Sequence, residues 1–343
     1  MKKSKYIVLF SSLILLLGTQ MSCSDSYLEE KPMDKFSPEN LLTSKKGFET
    51  VIYSLHNFAR SGLFQSNNED VMNTGTDVAC SGVTDGRFFN DYSLILPEHA
   101  TPKFYWNWAY QKMLKDANLI ITRAENPNVS WTEDEKNTIV AEAKFFRAYT
   151  YNILVNLFGG VPIVDKEELS PRFDYTRASR KEVLEFIQKD LEFAAQYLPI
   201  VTSDASQDGR IFRAAANHLL SEVYISLGQE TGDQLFYDKS IAAATAVIDG
   251  SCGEYALVKS RFGDTSRPGD YYSDLFWTNQ QNRASGNKEG IWVVQFEYLT
   301  PGAEEANNAQ LRLWGPKIED VTYPDGKKIL VCDTVGRMQG IIR

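Results

Sequence analysis

The stretch EAKFFRAYTYNILVNLFGGVPIV, Glu142 to Val164, carries the strongest folding signals in this chain. Ile139, Ala143, Phe146, Ile153 and Leu157 recur at helical spacing and mark one apolar stripe. Upstream, Thr132 with Glu135 predicts an N-terminal box in which a hydroxyl and a carboxylate satisfy two free backbone amides. Downstream, Gly159 and Gly160 predict the stop, because glycine accepts the backbone conformation that ends a helix, and Pro162 blocks resumption. One long helix between Thr132 and Gly159 follows from these signals.

The same signals recur on both sides. Glu39–Arg60 has helical apolar spacing through Leu41, Phe48, Ile52, Leu55 and Phe58, and a second helix is expected from about Phe104 to Glu125. Ser179 with Glu182 repeats the capping box ahead of Val183, Ile187, Leu191, Ala194 and Leu198, closed by Pro199. Two further helices are expected over roughly Ile211–Leu227, capped by Gly228, and Gln234–Asp249, capped by Gly250. Ala214, Ala215, Ala216, Ala242, Ala243 and Ala244 would let neighbouring helix backbones approach closely. Phe104, Tyr105, Trp106, Trp108 and Tyr110 sit where a helix begins and read as packing between helices. Tyr224, Leu227 and Gly228 followed by Tyr237, Ile241 and Ala244 faintly echo a tetratricopeptide pair.

From Ser251 the composition shifts, with ten of the 22 glycines in the last 93 residues, so loops replace helices there. Trp292, Val294, Phe296 and Tyr298 alternate with Ile291, Val293, Gln295 and Glu297, which predicts a strand after Gly290. Pro324-Asp325-Gly326 between Val321–Tyr323 and Ile329–Val331 predicts a hairpin. The expected fold is mainly α, built from tetratricopeptide-like helical hairpins with a loop-rich, partly β C-terminal portion.

The chain has 343 residues, 36 of them basic and 45 acidic. Its start is different in character: Lys2, Lys3 and Lys5 precede a mostly apolar run from Tyr6 to Gly18. A spanning helix needs ~20 such residues, so the run reads as a secretory signal ending at Ser22. Cys23 then resembles the acylated cysteine of a bacterial lipoprotein box, although Gln20 and Met21 depart from the usual pattern; plain secretion with a coincidental cysteine is the alternative. Loss of the three lysines leaves 33 basic against 45 acidic residues, an acidic balance that repels phosphate backbones and argues against nucleic acid as a partner. Cys80, Cys252 and Cys332 match no zinc spacing, and their odd number argues against a disulfide framework.

Glu142–Val164 resembles the signature helix of SusD/RagB-type outer-membrane lipoproteins. Four more stretches agree in order: CSDSYLEEKP after the lipobox, WAYQKMLKDANLIITRAE, GRIFRAAANHLLSEVYISLG and EGIWVVQFEY. The resemblance implies segments 1–22 (signal peptide), 23–39 (extended tether after lipidated Cys23), 40–250 (helical region) and 251–343 (the start of a loop-rich C-terminal region). Family members are generally longer, so the C-terminal region is expected to be incomplete, which would leave apolar surface of the helical body uncovered. The resemblance further implies a protein that is not an enzyme and holds no cofactor. It would capture glycans or other nutrients at the outer face of the outer membrane and hand them to a SusC-like TonB-dependent transporter. The alternative is a helical scaffold holding other envelope proteins.

Asp204, Ser206, Asp208 and Gly209 open like a calcium loop, but the twelfth position, where a bidentate glutamate is needed, is Ala215, so no metal is expected. No nucleophile elbow, phosphate-binding glycine loop or zinc helix occurs. Sugar capture uses aromatic faces against pyranose rings and polar groups against hydroxyls, projected from loops. The candidates are Asp77, Arg87, Phe88, Phe89, Asn90 and Tyr92 in the first long loop, and Tyr271, Tyr272, Trp277, Tyr298 and Trp314 in the later ones.

Overall fold

The computed structural model describes residues 38–64, 92–94, 96–98, 100–277, 279–296 and 324. A unit ending at Leu41 contributes the helical turn Pro38–Leu41, and the chain from Leu42 onward forms a second unit. The second unit holds helices α1 (Lys45–Ala59), α2 (Ala100–Trp108), α3 (Leu114–Arg123), α4 (Glu133–Phe158), α5 (Arg180–Tyr197), α6 (Arg213–Thr231) and α7 (Gln234–Ile248). Wider turns at Arg60–Phe64 and Ala109–Met113 extend α1 and join α2 to α3. In order, α3 packs on α4, α4 on α5, α5 on α6 and α6 on α7, while α1 lies against α3 and α4. No strand occurs among the described residues.

Both capping boxes form as the sequence predicts. Thr132 Oγ1 accepts from the Glu135 amide at 3.2 Å while Glu135 accepts from the Thr132 amide at 2.9 Å. Ser179 and Glu182 repeat the pair at 3.2 and 2.8 Å. Gly159 closes α4 with φ +71°, and at Gly160 a Cβ would stand 2.0 Å from the Ala178 carbonyl oxygen, so the second glycine is required by the close passage of another chain segment. The clustered aromatics of α2 pack between helices. Tyr105 and Trp108 are buried, Trp108 Nε1 donates to the Phe58 carbonyl at 2.9 Å, and the Trp106 ring stacks on Tyr110 at 5.1 Å.

Helix α4 is buried on nearly every side, and the burial includes two charges, Glu142 and Arg147. Arg147 grips Asp190 of α5 with two bonds of 2.7 and 2.9 Å, and its remaining donors reach Asn118 of α3 at 2.7 Å and the Asp165 carbonyl at 2.8 Å. Lys144 adds a second cation to Asp190 at 2.8 Å. Glu142 faces the other way and accepts from His56 Nε2 of α1 at 2.8 Å and from Arg210 Nε at 3.1 and 3.2 Å. Three elements converge on each group, so each buried charge is compensated in a geometry that only this helix arrangement supplies.

Three expectations are corrected. The glycine that ends α6 is Gly232, with φ +71°, and not Gly228. Gly228 lies inside α6, where a Cβ would meet the Tyr237 ring at 2.7 Å, so it admits the tyrosine of α7. Within the alanine run of α7 only Ala243 is buried, while Ala242 and Ile241 face outward. Residues 291–296 form no strand: 291–294 are all half-buried, because the segment lies against helices rather than in a sheet that would hide alternate side chains. The hairpin expected at 321–331 falls outside the described residues apart from Pro324. Leu235, Ile241 and Ile248 of α7 are exposed.

Burial pushes the Glu142 carboxyl up, yet the His56 hydrogen bond and the Arg210 charge overcome it and hold the group at about 2, against an ordinary 4.5. A depressed carboxyl contributes stability that is present in full above pH 4.5 and is lost as the pH falls toward 2. Glu142→Gln should therefore cost about 3 kcal/mol near neutral pH. It should also flatten the fall in stability across that acid window, read from denaturant melts at a series of pH values.

Candidate functional site

The segment after α7 folds around two buried polar side chains, Asp274 and Gln280. Asp274 accepts from Arg261 Nε at 2.6 Å and from the Phe262 amide at 3.1 Å. The other two guanidinium nitrogens of Arg261 donate to the Gly269 carbonyl at 2.8 Å and the Arg267 carbonyl at 2.9 Å. Gln280 accepts from the Asp264 amide at 3.0 Å and donates to the Phe262 carbonyl at 3.3 Å. At Gly263, with φ +62°, a Cβ would stand 2.9 Å from the Gln280 side chain, so glycine leaves room for that side chain. The Arg261 hydrogen bond holds the Asp274 carboxyl below its ordinary range, so the clasp stays ionised.

This clasp presents a short helix, Tyr271–Asp274, capped by Asp270, whose carboxylate accepts from the Ser273 amide at 2.8 Å. Tyr271, Tyr272 and Phe276 project from it and from the following turn with relative exposures of 46%, 63% and 67%. The Tyr272 and Phe276 rings meet at 5.2 Å with their planes 62° apart. Trp277 behaves differently: it is half-buried, and the Arg267 guanidinium lies 5.3 Å from its ring centre. Large rings left in water on a loop fixed by hydrogen bonds lose little freedom when a ligand stacks on them, which suits the apolar faces of sugars.

The structure thus brings together Tyr271, Tyr272 and Trp277 of the sequence candidates, with Trp277 turned inward beneath an arginine. Tyr92 is exposed on the separate turn Tyr92–Leu94. Cys23, Asp77, Arg87, Phe88, Phe89, Asn90, Tyr298 and Trp314 lie outside the described residues. Phe276 is not among the sequence candidates; its neighbour Trp277 draws attention by its larger ring, whereas only the loop geometry shows which of the two faces outward.

A second feature is the seat of Trp292. Its indole donates to the Gly209 carbonyl at 3.2 Å, and its ring stands nearly perpendicular to Phe64, Phe145 and Tyr149 at 6.2, 6.1 and 5.6 Å. On one side is a cleft of about 300 Å³ bordered by Tyr53, His56, Asn57, Arg60, Asp208 and Gln295. Asp204, read as part of a calcium-like opening, accepts from the Ser206 amide at 2.9 Å and so shapes a turn. Among the described residues no three His, Cys, Asp or Glu groups are placed to hold a metal ion, and no helix is long and apolar enough to cross a membrane.

Residues 26–225 match a SusD-like family model described as starch-binding, associating with outer membrane. SusD-like protein P2 of Formosa agariphila is 26% identical over 305 residues, covering 85% of this chain and 53% of the relative. The chain spans about half the length of the first curated relatives it matches. A SusD homolog from Bacteroides thetaiotaomicron superposes with a TM-score of 0.63 at 20% identity, over 80% of this chain and 51% of that one. A structure solved with xylogluco-oligosaccharide superposes with a TM-score of 0.58 at 20% identity, over 77% of this chain and 49% of that one.

If Asp274 is what holds the platform, Asp274→Ala should release residues 261–280 to limited proteolysis while the helical body keeps its far-ultraviolet circular dichroism. Unchanged cleavage would show that the clasp does not order the loop.

Proposed function

Because the chain belongs to the SusD-like family, we propose that it is a cell-surface lipoprotein that captures oligosaccharide and delivers it to a SusC-like TonB-dependent transporter. The observation that carries the capture step is the row of exposed rings at Tyr271, Tyr272 and Phe276 on a loop stiffened by hydrogen bonds to the buried Asp274 and Gln280 side chains. Pyranose rings present C–H faces that pack on aromatic rings, and the hydroxyls around them take hydrogen bonds from short polar side chains. Asp77, Arg87, Phe88, Phe89, Asn90, Tyr92, Tyr298 and Trp314 are proposed to supply further contacts. That a protein of similar fold has been solved with a xylogluco-oligosaccharide supports the ligand class without fixing the glycan for this chain.

Capture outside the cell requires an anchor. Cys23, after a basic and apolar leader, is the proposed lipidation site, and several acyl chains on one residue would hold the protein firmly where one would not. The acidic balance of the chain suits neutral or cationic ligands over polyanions.

Glycan arrays followed by calorimetry on the lipid-free mature protein test the capture step. The double variant Tyr272→Ala with Phe276→Ala should weaken binding of the selected oligosaccharide by about fivefold or more, each lost stacking contact being worth roughly 0.5–1.5 kcal/mol. Absence of any glycan ligand for the parent protein, together with failure to co-purify a transporter from outer membranes, would remove the proposal in favour of an envelope scaffold.

A further inference from the structure

Trp292 also lines a second groove, of about 440 Å³, between α4, α6 and the segment that follows the aromatic platform. Phe145 and Tyr149, one turn apart on α4, lie nearly parallel, with 11° between their planes. The Trp292 ring stands at 87° to one and 89° to the other; Phe145 is buried, so the partly exposed Tyr149 and Trp292 rings make the two perpendicular walls of an aromatic corner. Glu222 and Glu289 also line it, with His218, and among the described residues no lysine or arginine does. His218 leans on Glu222 at 3.5 Å, and the Glu289 carboxylate has no ion-pair partner among the described residues. Glu289 is also held in place: the buried Asn287 side chain accepts from the Glu289 and Gly290 amides at 2.9 and 3.2 Å and donates to the Gln281 carbonyl at 2.7 Å.

Perpendicular aromatic walls beside carboxylates make a partial cage for a positive charge that carries its own apolar surface. The ring faces attract a cation through their quadrupole, and the carboxylates supply the countercharge. A divalent metal is the poorer fit, because hard cations want six or more oxygen ligands and most of this lining is aromatic and aliphatic. A groove of this volume lies in the range of small-molecule sites. We propose that the groove is a binding site for a small organic ammonium ion, distinct from the platform at Tyr271–Phe276, with which it shares no residue.

Choline and its uncharged isostere 3,3-dimethylbutan-1-ol test this directly. The readout is the indole N–H resonance of Trp292 in protein labelled at tryptophan nitrogen, assigned with Trp292→Phe. Choline should shift that resonance saturably, in the millimolar range, and the isostere should bind about tenfold more weakly. Glu289→Gln, at a half-exposed position that spares the fold, should weaken choline by roughly two- to fivefold. Three results would overturn the proposal: no saturable shift up to on the order of 100 mM choline, equal binding of the two probes, or unchanged affinity in Glu289→Gln. Calcium saturating the same resonance while choline does not would also overturn it and reassign the carboxylates to a metal. None of these results bears on glycan binding, which is measured at a different surface.

Discussion

Two charges buried on one helix constrain the whole body. Glu142 and Arg147 are nearly inaccessible to water, and ions taken out of water are tolerated only where partners and geometry replace the lost hydration. Glu142 therefore demands a donor from α1 and another from the turn before α6, and His56 and Arg210 supply them. Arg147 demands acceptors on the opposite side and takes them from α3, α5 and the chain that leaves α4. Apolar packing alone would allow neighbouring helices to slide. Two ionic clusters on opposite sides of one rod leave few positions in which every donor and acceptor is met.

The segment GGVPIV shows how far that constraint reaches. After Gly159 the chain turns back along α4, and the Tyr151 hydroxyl accepts from the Val164 amide at 2.7 Å while Tyr110 donates to the Pro162 carbonyl at 2.7 Å. Asn118 donates to the Val164 carbonyl at 2.8 Å and accepts from Arg147, so the same buried network that locks the helices also ties down the returning segment. Further on, Arg123 holds Glu167 with two bonds of 2.6 and 2.9 Å. The FGGVPIV ending of the signature stretch, with Val161 buried and its backbone tied into the network, is therefore a fixed element and not a flexible linker.

Much of the helical body is legible in the order of its residues. Capping boxes at Thr132 and Ser179 work through atoms three residues apart, and such local chemistry can be read directly from sequence. Gly228 is ambiguous at that level because a glycine near a helix end has two uses, ending the helix or admitting a neighbour, and only the position of Tyr237 separates them. The alternation at 291–296 misleads for a related reason: period-two spacing predicts a strand only where a sheet exists to hide one face. The pairing of Glu142 with His56 and Arg210 spans 86 and 68 residues and leaves no local trace. In the candidate site, sequence locates the aromatic-rich loop around Tyr271 and Tyr272, but ring orientation depends on Asp274 and Gln280, whose burial is a property of the folded loop.

That dependence separates two kinds of stability in the molecule. The helical body is held by long-range ionic contacts on α4, whereas the platform is held by contacts within residues 261–280: Arg261 to Asp274, Asp264 to Gln280, and Asp270 to Ser273. None of those hydrogen bonds involves the rings of Tyr271, Tyr272 or Phe276. Exposed rings that are not part of the clasp can be exchanged for other side chains at small cost to the fold, since surface positions away from packed or paired groups change stability little. Trp292 is the opposite case: it sits among the rings of α4 and bonds to Gly209, so it couples the loop-rich portion to the helical body. A change there would be felt in packing first, whereas a change at Tyr272 or Phe276 leaves the clasp intact and, on the proposed function, acts on recognition. If the platform captures glycan as proposed, its recognition can change without rebuilding the body that displays it.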